Sequence, residues 1–298
     1  MKLRFVAVAL CATATVANAE SKAWTTAKAK LPAGMTAVVG INVGPIKSSQ
    51  LYQQLLPLAM AKSGKAKDNL DKIKSTCGID LSGSIDSVVV GMQDDDHGVA
   101  ILQLKGTNQK DLEACGKKVA VSEGKTLSIT KDGAVTKYSG MGEDDLYVRW
   151  FSKDSLAVSD GKDTLTKLTA GGIARDPIAK QVATVGTDAA VFLAIKKDED
   201  LGDFNAKMSA AYGTLDIKGG NLAANVHIVV DSAAAATKVV TDGKSQLDGI
   251  KKSGQVPKQF AGILDSVKLE SKGSEVILQG AAPESDLIAL AGQFLGSH

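Results

Sequence analysis

Apolar residues along this chain fall into short runs of strand period and of helical period, and the alternation of the two maps its elements. Thr36 to Val43 (TAVVGINV) is a β-branched apolar run closed by Gly44-Pro45, which predicts a buried strand. Residues 48–62 place Leu51, Leu55, Leu58 and Ala59 on one helical face, with Pro57 set to kink or divide the helix. A second helix near 65–76 ends at Cys77-Gly78, where Gly78 suits a left-handed cap. Strands near 85–92 and 98–105 flank the Asp94-Asp95-Asp96-His97 turn as a hairpin, and a helix over 108–119 carries Leu112, Cys115 and Val119 on one face. Two hairpins follow, 125–131 with 134–139 around Asp132-Gly133 and 146–152 with 155–159 around Lys153-Asp154. A helix near 161–170 stops at Gly171-Gly172, and Arg175-Asp176-Pro177 reads as a linker.

The second half repeats much of this order. Asp188 to Ile195 (DAAVFLAI) matches the first strand in composition, and 210–218 with 222–230 form a hairpin around Gly219-Gly220. An Ala-rich helix from Ser232 sets Ala236, Val240, Leu247 and Ile250 inward. A last hairpin, 265–271 with 274–280, turns at Lys272-Gly273, and a C-terminal helix opens at Pro283-Glu284 with Leu287, Leu290, Ala291 and Phe294 on its apolar face. Helices interleaved with hairpins cannot all serve as parallel crossovers, so the expected class is α+β: two pseudo-repeated lobes of mainly antiparallel sheet, with helices on one face. The expected divisions are a segment at 1–19, a polar lead-in at 20–34, a first lobe at 35–175 and a second at 176–298. The repeat rests on element order and turn chemistry, because residue identities between the halves match poorly.

The first segment is an address. Lys2 and Arg4 precede an apolar run from Phe5 to Ala14, and Ala17-Asn18-Ala19 supplies a small-x-small ending, the layout of a secretory signal peptide with cleavage between Ala19 and Glu20. A transmembrane anchor needs about 20 apolar residues, and this run is interrupted at Thr13 and Thr15. A lipid-modified Cys11 is disfavoured by the bulky Leu10 before it. Losing the segment removes two of the 35 basic residues, so the chain that remains carries 33 against 33 acidic and is formally neutral. A neutral chain without a Lys/Arg stripe excludes nucleic acid as a partner, and no integral membrane span follows signal removal. Cys11 is lost as well, leaving Cys77 and Cys115; in an exported chain these favour one disulfide, the alternative being two separate buried thiols.

Several phrases are punctuation of a recognisable kind: Leu31-Pro32-Ala33-Gly34-Met35-Thr36-Ala37, Cys77-Gly78-Ile79-Asp80 before Ile85-Asp86-Ser87-Val88-Val89-Val90, Leu156-Ala157-Val158-Ser159-Asp160, and Leu264-Asp265-Ser266-Val267. Together they resemble a family of secreted bacterial proteins known as a domain of unknown function. The resemblance covers most of residues 31–295. It implies bacterial origin and export, to the periplasm or beyond, and carries no catalytic residue.

The chemistry legible in the chain is sparse. No G-x-S-x-G, H-E-x-x-H or C-x-x-C occurs, and the three histidines are His97, His227 and His298, too few for a zinc or Ser-His-Asp reading. Gly124-Lys125-Thr126 and Gly243-Lys244-Ser245 look like the end of a phosphate loop, but Val119 and Lys238 stand where its first Gly belongs, so both read as turns. His227 falls on the strand face opposite Val226 and Ile228, as a solvated or hydrogen-bonded histidine. The acidic runs Asp94-Asp95-Asp96, Glu143-Asp144-Asp145 and Asp198-Glu199-Asp200 read as hairpin tips; the first misses the spacing of a calcium loop. Aromatics at 4% leave few stacking platforms for sugars or bases. Two function classes remain: a non-enzymatic binding or envelope-associated interaction protein with no cofactor, its site at the junction of the lobes, or a periplasmic hydrolase whose carboxylates, such as Asp96 and Asp198, meet only in the fold.

Overall fold

The computed structural model describes residues 20–54, 57, 64–94, 98–140, 145–159, 161–168, 171–253 and 258–295. Outside them lie residues 1–19, expected to be a signal segment and including Ala19, the expected helix positions Leu55, Leu58 and Ala59, the acids Asp95, Asp96, Glu143 and Asp144, and His97 and His298. The strands β1 (Ala37–Asn42), β2 (Ile85–Met92) and β3 (Gly98–Leu104) form a meander. Helix α5 (Gln109–Ser122) then crosses, and β4 (Ser128–Asp132), β5 (Val135–Ser139), β6 (Leu146–Trp150) and β7 (Ser155–Ser159) return until β7 lies beside β3. The second half also begins with a meander, but only two strands return. β8 (Val191–Asp200), β9 (Lys207–Lys218) and β10 (Asn221–Val230) meander, α8 (Ala233–Lys252) crosses, and β11 (Lys268–Lys272) and β12 (Glu275–Pro283) return with β12 beside β10.

β1 and β8 pair antiparallel, with Val39 opposite Leu193, so one sheet of twelve strands runs through both halves in the order β11-β12-β10-β9-β8-β1-β2-β3-β7-β6-β5-β4. The expected α+β class with an antiparallel sheet is found, and the sheet is continuous where a boundary between lobes was expected. The helices occupy both faces, against an expectation of one. Along β3, Ile101 enters one core cluster while its neighbour Leu102 packs into another, because successive strand side chains point to opposite faces.

The first face carries the main core. Helix α1 (Lys22–Lys30) lies in what reads as a polar lead-in, yet Ala23, Trp24 and Ala27 are fully buried, and Leu31 follows them down. Trp24 meets the Phe192 ring edge to face at 5.8 Å. Helix α7 (Pro177–Val185) adds Ile178, Ala179 and Val182. It starts in the expected linker: Asp176 caps it by accepting from the Ile178 N–H at 3.1 Å, with Pro177 at the first helical position. The same buried carboxylate accepts from the Gly34 N–H at 2.9 Å and pairs with Lys196, tying the lead-in and β8 to this helix. Burial pushes Asp176 up, but Lys196 and the two N–H groups outweigh it and hold the carboxyl below its ordinary range. The lobe junction expected to hold a site is thus filled by Trp24, Phe192 and Val38, all about 0–1% exposed.

On the second face, α8 packs Ala236 and Val240 over Ile228, Val230 and Val276. Gly243, expected in a turn, is inside α8, where its bare backbone lets Leu269 approach. Helix α5 covers the other half of this face through Leu112.

Candidate functional site

Helix α5 is fixed at both ends. Asn108 caps it, accepting from the Lys110 N–H at 2.9 Å and the Asp111 N–H at 3.3 Å, and Gly124 takes a positive φ of 67° just beyond its last turn. Cys115, on the buried side of α5, joins Cys77 at the end of α3 (Gly64–Cys77) with Cα atoms 5.5 Å apart, the expected disulfide pairing. Lys72 adds an ion pair to Glu123 at 2.8 Å.

Beneath this anchored helix the apolar face of β5, β6 and β7 is not fully covered. Leu112 and Gly116 on the helix side and Tyr138, Val148, Trp150 and Val158 on the sheet side enclose a groove of about 290 Å³. Gly116 has no side chain to fill it, and a Cβ there would lie 2.9 Å from a Leu127 methyl. Leu146, 47% exposed, stands at the rim. Strand alternation puts Leu146, Val148 and Trp150 on one face of β6, so a row of large apolar side chains lines the floor.

Four polar groups meet at this wall. The Tyr138 hydroxyl donates to Glu113 Oε1 at 2.9 Å, and Gln109 Nε2 donates to the same oxygen at 2.8 Å. Burial, with the Glu113 carboxylate adding to it, pushes the Tyr138 hydroxyl up to about 12, so it stays protonated and remains a donor. The Trp150 indole N–H is buried with no hydrogen-bond partner among the described residues. It lies near enough to the Tyr138 oxygen to oppose part of that rise, but short of a hydrogen bond. A concave apolar site with a few fixed polar groups is the usual form of a small-molecule site.

The other residues singled out in the sequence are placed elsewhere. Asp198, Glu199 and Asp200 end β8 in the open, Glu199 paired with Lys197 at 3.2 Å. Asp145 pairs with Lys137 at 2.6 Å. His227 stacks on Tyr212 at 4.8 Å between ring centroids, its Nδ1 3.3 Å from Glu275 Oε2, and the Tyr212 hydroxyl donates to the other oxygen of that carboxylate at 2.7 Å. Among the described residues no three His, Cys, Asp or Glu side chains are grouped to hold a metal, and no helix is long and apolar enough to cross a membrane. Trp150, Tyr138 and Glu113 were not singled out by sequence reading. The available signal was a strand with an unbroken apolar face opposite a helix with a mid-length glycine.

No family model matches the chain, and no curated protein matches it. It is similar to solved structures of TP0453. Crystal form I aligns at a TM-score of 0.49 and 12% identity, covering 88% of this chain and 94% of that one. Crystal form III aligns at 0.49 and 12%, covering 88% and 96%, and crystal form IV at 0.48 and 13%, covering 87% and 93%. At this level of similarity no residue role is transferred.

Proposed function

We propose that this chain is an exported, non-enzymatic binding protein that holds a small apolar chain or ring in the groove between α5 and the strands β5–β7. The observation that carries the reading is the groove itself: about 290 Å³ of apolar space beside a buried indole N–H that makes no hydrogen bond among the described residues. That volume is at the small end of the ~300–1,000 Å³ usual for ligand sites, so the ligand is a single chain or ring rather than a large cofactor. A polar atom on the ligand that accepts from Trp150 removes the cost of the unpaired donor. Export is supported by the layout of residues 1–19 and by the Cys77 and Cys115 pairing, which persists in an oxidising compartment. The family resemblance of the sequence is the support for a bacterial origin.

Thermal unfolding in the presence of decanol tests the reading. A ligand that binds only the folded state stabilises by about 2.7 kcal/mol at 100 times its dissociation constant. Saturable stabilisation, weakened by Leu146→Glu at the exposed rim, is the expected result. No stabilisation by decanol or by other neutral single-chain amphiphiles overturns it.

A further inference from the structure

A second cavity opens at the end of the sheet where α1 and α5 begin. Its volume is about 420 Å³, and Lys22, Lys105, Lys153, Thr107, Asp86 and Asp154 line it. The three lysines come from separate elements, the first turn of α1, the end of β3 and the turn between β6 and β7. None closes to ion-pair distance of a carboxylate among the described residues, although the Lys153 charge helps hold Asp154 below its ordinary range. Cations gathered from three elements outnumber the two carboxylates that share the cavity with them, which leaves a net positive hollow that an anion can fill.

The loop between β3 and α5 supplies donors to the same place. Gly106 takes a positive φ of 75°, which turns the chain across the cavity wall. Thr107 is 7% exposed, and its hydroxyl is buried with no hydrogen-bond partner among the described residues. A buried hydroxyl left unpaired is disfavoured, so an acceptor within its reach is favoured. Helix α5, 14 residues long, starts two residues later and directs the positive end of its dipole to this side. Asp86 and Asp154 reduce the positive charge to one. Asp154 is already engaged, accepting from the Ser152 hydroxyl at 2.7 Å. A hollow of low net charge suits one small anion and disfavours a polyanion such as nucleic acid.

We infer that this cavity binds a phosphate or phosphomonoester group, with Lys22, Lys105 and Lys153 as its counter-charges and the Thr107 hydroxyl as a hydrogen-bond donor. The source is a free phosphate or the head of an amphiphile. Leu104 lines this cavity and also belongs to the apolar cluster with Leu156 and Leu112, which line the groove under α5. A head bound here thus lies one cluster away from a tail bound there. The phosphate site stands whether or not the groove is occupied.

Isothermal titration calorimetry of the mature protein with inorganic phosphate, decyl phosphate and decanol separates the sources. Binding of phosphate alone, weakened about tenfold for each lysine changed to Gln, the loss of one charge-assisted hydrogen bond, identifies a free-ion site. Tighter binding of decyl phosphate than of decanol, with the difference removed by Lys105→Gln/Lys153→Gln and decanol affinity unchanged, identifies a head-group site. Thr107→Val should weaken either anion while leaving the thermal midpoint at or above that of the parent, since it deletes an unpaired hydroxyl. If neither anion binds, or if the lysine variants bind both anions as the parent does, the inference is overturned. Loss of decanol binding alone counts against the groove and leaves the phosphate site standing.

Discussion

The Phe192 ring fills the space that a side chain on Gly40 would need: a Cβ built on Gly40 lies 1.9 Å from the ring's Cζ. The two residues are directly opposite in the pairing of β1 with β8, so the join between the halves of the sheet depends on one residue having no side chain and the other a large one. Gly40→Ala forces the ring out of a site that is 0% exposed. Overpacking of this kind costs about 1–3 kcal/mol or more, and Phe192→Ala about 3–5 kcal/mol. Urea denaturation should show both losses. In the double variant the two should sum to less than their separate values, because the alanine at 40 enters space that Phe192 has left.

Reduction of the Cys77 and Cys115 pair should lower stability without changing the sheet. The residues are separated by 38 positions, and closing a loop of that length constrains the unfolded chain by about 4 kcal/mol in the chain-entropy model. Urea midpoints with and without reductant measure this, and the Cys77→Ser/Cys115→Ala variant should behave as the reduced protein does. Equal midpoints would mean that the bond adds nothing.

Asp176 makes a pH-dependent contribution with a definite sign. Its carboxyl is held below its ordinary range in the folded protein, so its stabilisation is fully present above the unfolded value of about 3.9 and is lost as pH falls through the folded value. Asp176→Asn removes a buried partner of Lys196 and of two backbone N–H groups. The loss at neutral pH should be about 2 kcal/mol or more, since hydrogen bonds to a charged group contribute about 1.5–3 kcal/mol. Thermal midpoints from pH 7 down to pH 2 should converge for parent and variant at the acid end.

The strand pattern was legible and much of the helix pattern was not, for physical reasons. Strand runs such as Val38-Val39 and Val88-Val89-Val90 announce themselves because burial on a sheet needs branched apolar side chains. Helix α1 hides because its buried side is Ala23, Trp24 and Ala27. Two of these three are alanines, and Lys22, Lys28 and Lys30 around them make the segment look solvated. Helix α7 hides because Asp176-Pro177 serves equally as a linker and as a cap followed by the first helical residue. Helix α9 (Lys258–Ser266) precedes β11 in a stretch that sequence periodicity left unassigned. The apolar row on β6 could be read in advance. The gap above it could not, since it depends on where Gly116 falls relative to strands distant in sequence.

Export predicts one mass for the secreted protein. Ala17 and Ala19 are the small residues a signal peptidase requires, so the mature chain should begin at Glu20. Glu20 then stands close to α1, where its carboxylate pairs with Lys28 at 2.6 Å. N-terminal sequencing of the protein recovered from outside the cytoplasm checks this, and a start at Met1 or at Cys11 contradicts it.

The groove under α5 is tested most directly by fluorine NMR of the protein labelled with fluorotryptophan. The chain has two tryptophans, one buried in the main core at Trp24 and one on the groove wall at Trp150, and Trp150→Phe assigns the two resonances. On titration with decanol the Trp150 resonance should move to a saturating limit while that of Trp24 stays in place, and Gly116→Val, which narrows the groove, should reduce the shift. A Trp150 resonance that does not respond, or one that moves together with that of Trp24, contradicts ligand binding at this site.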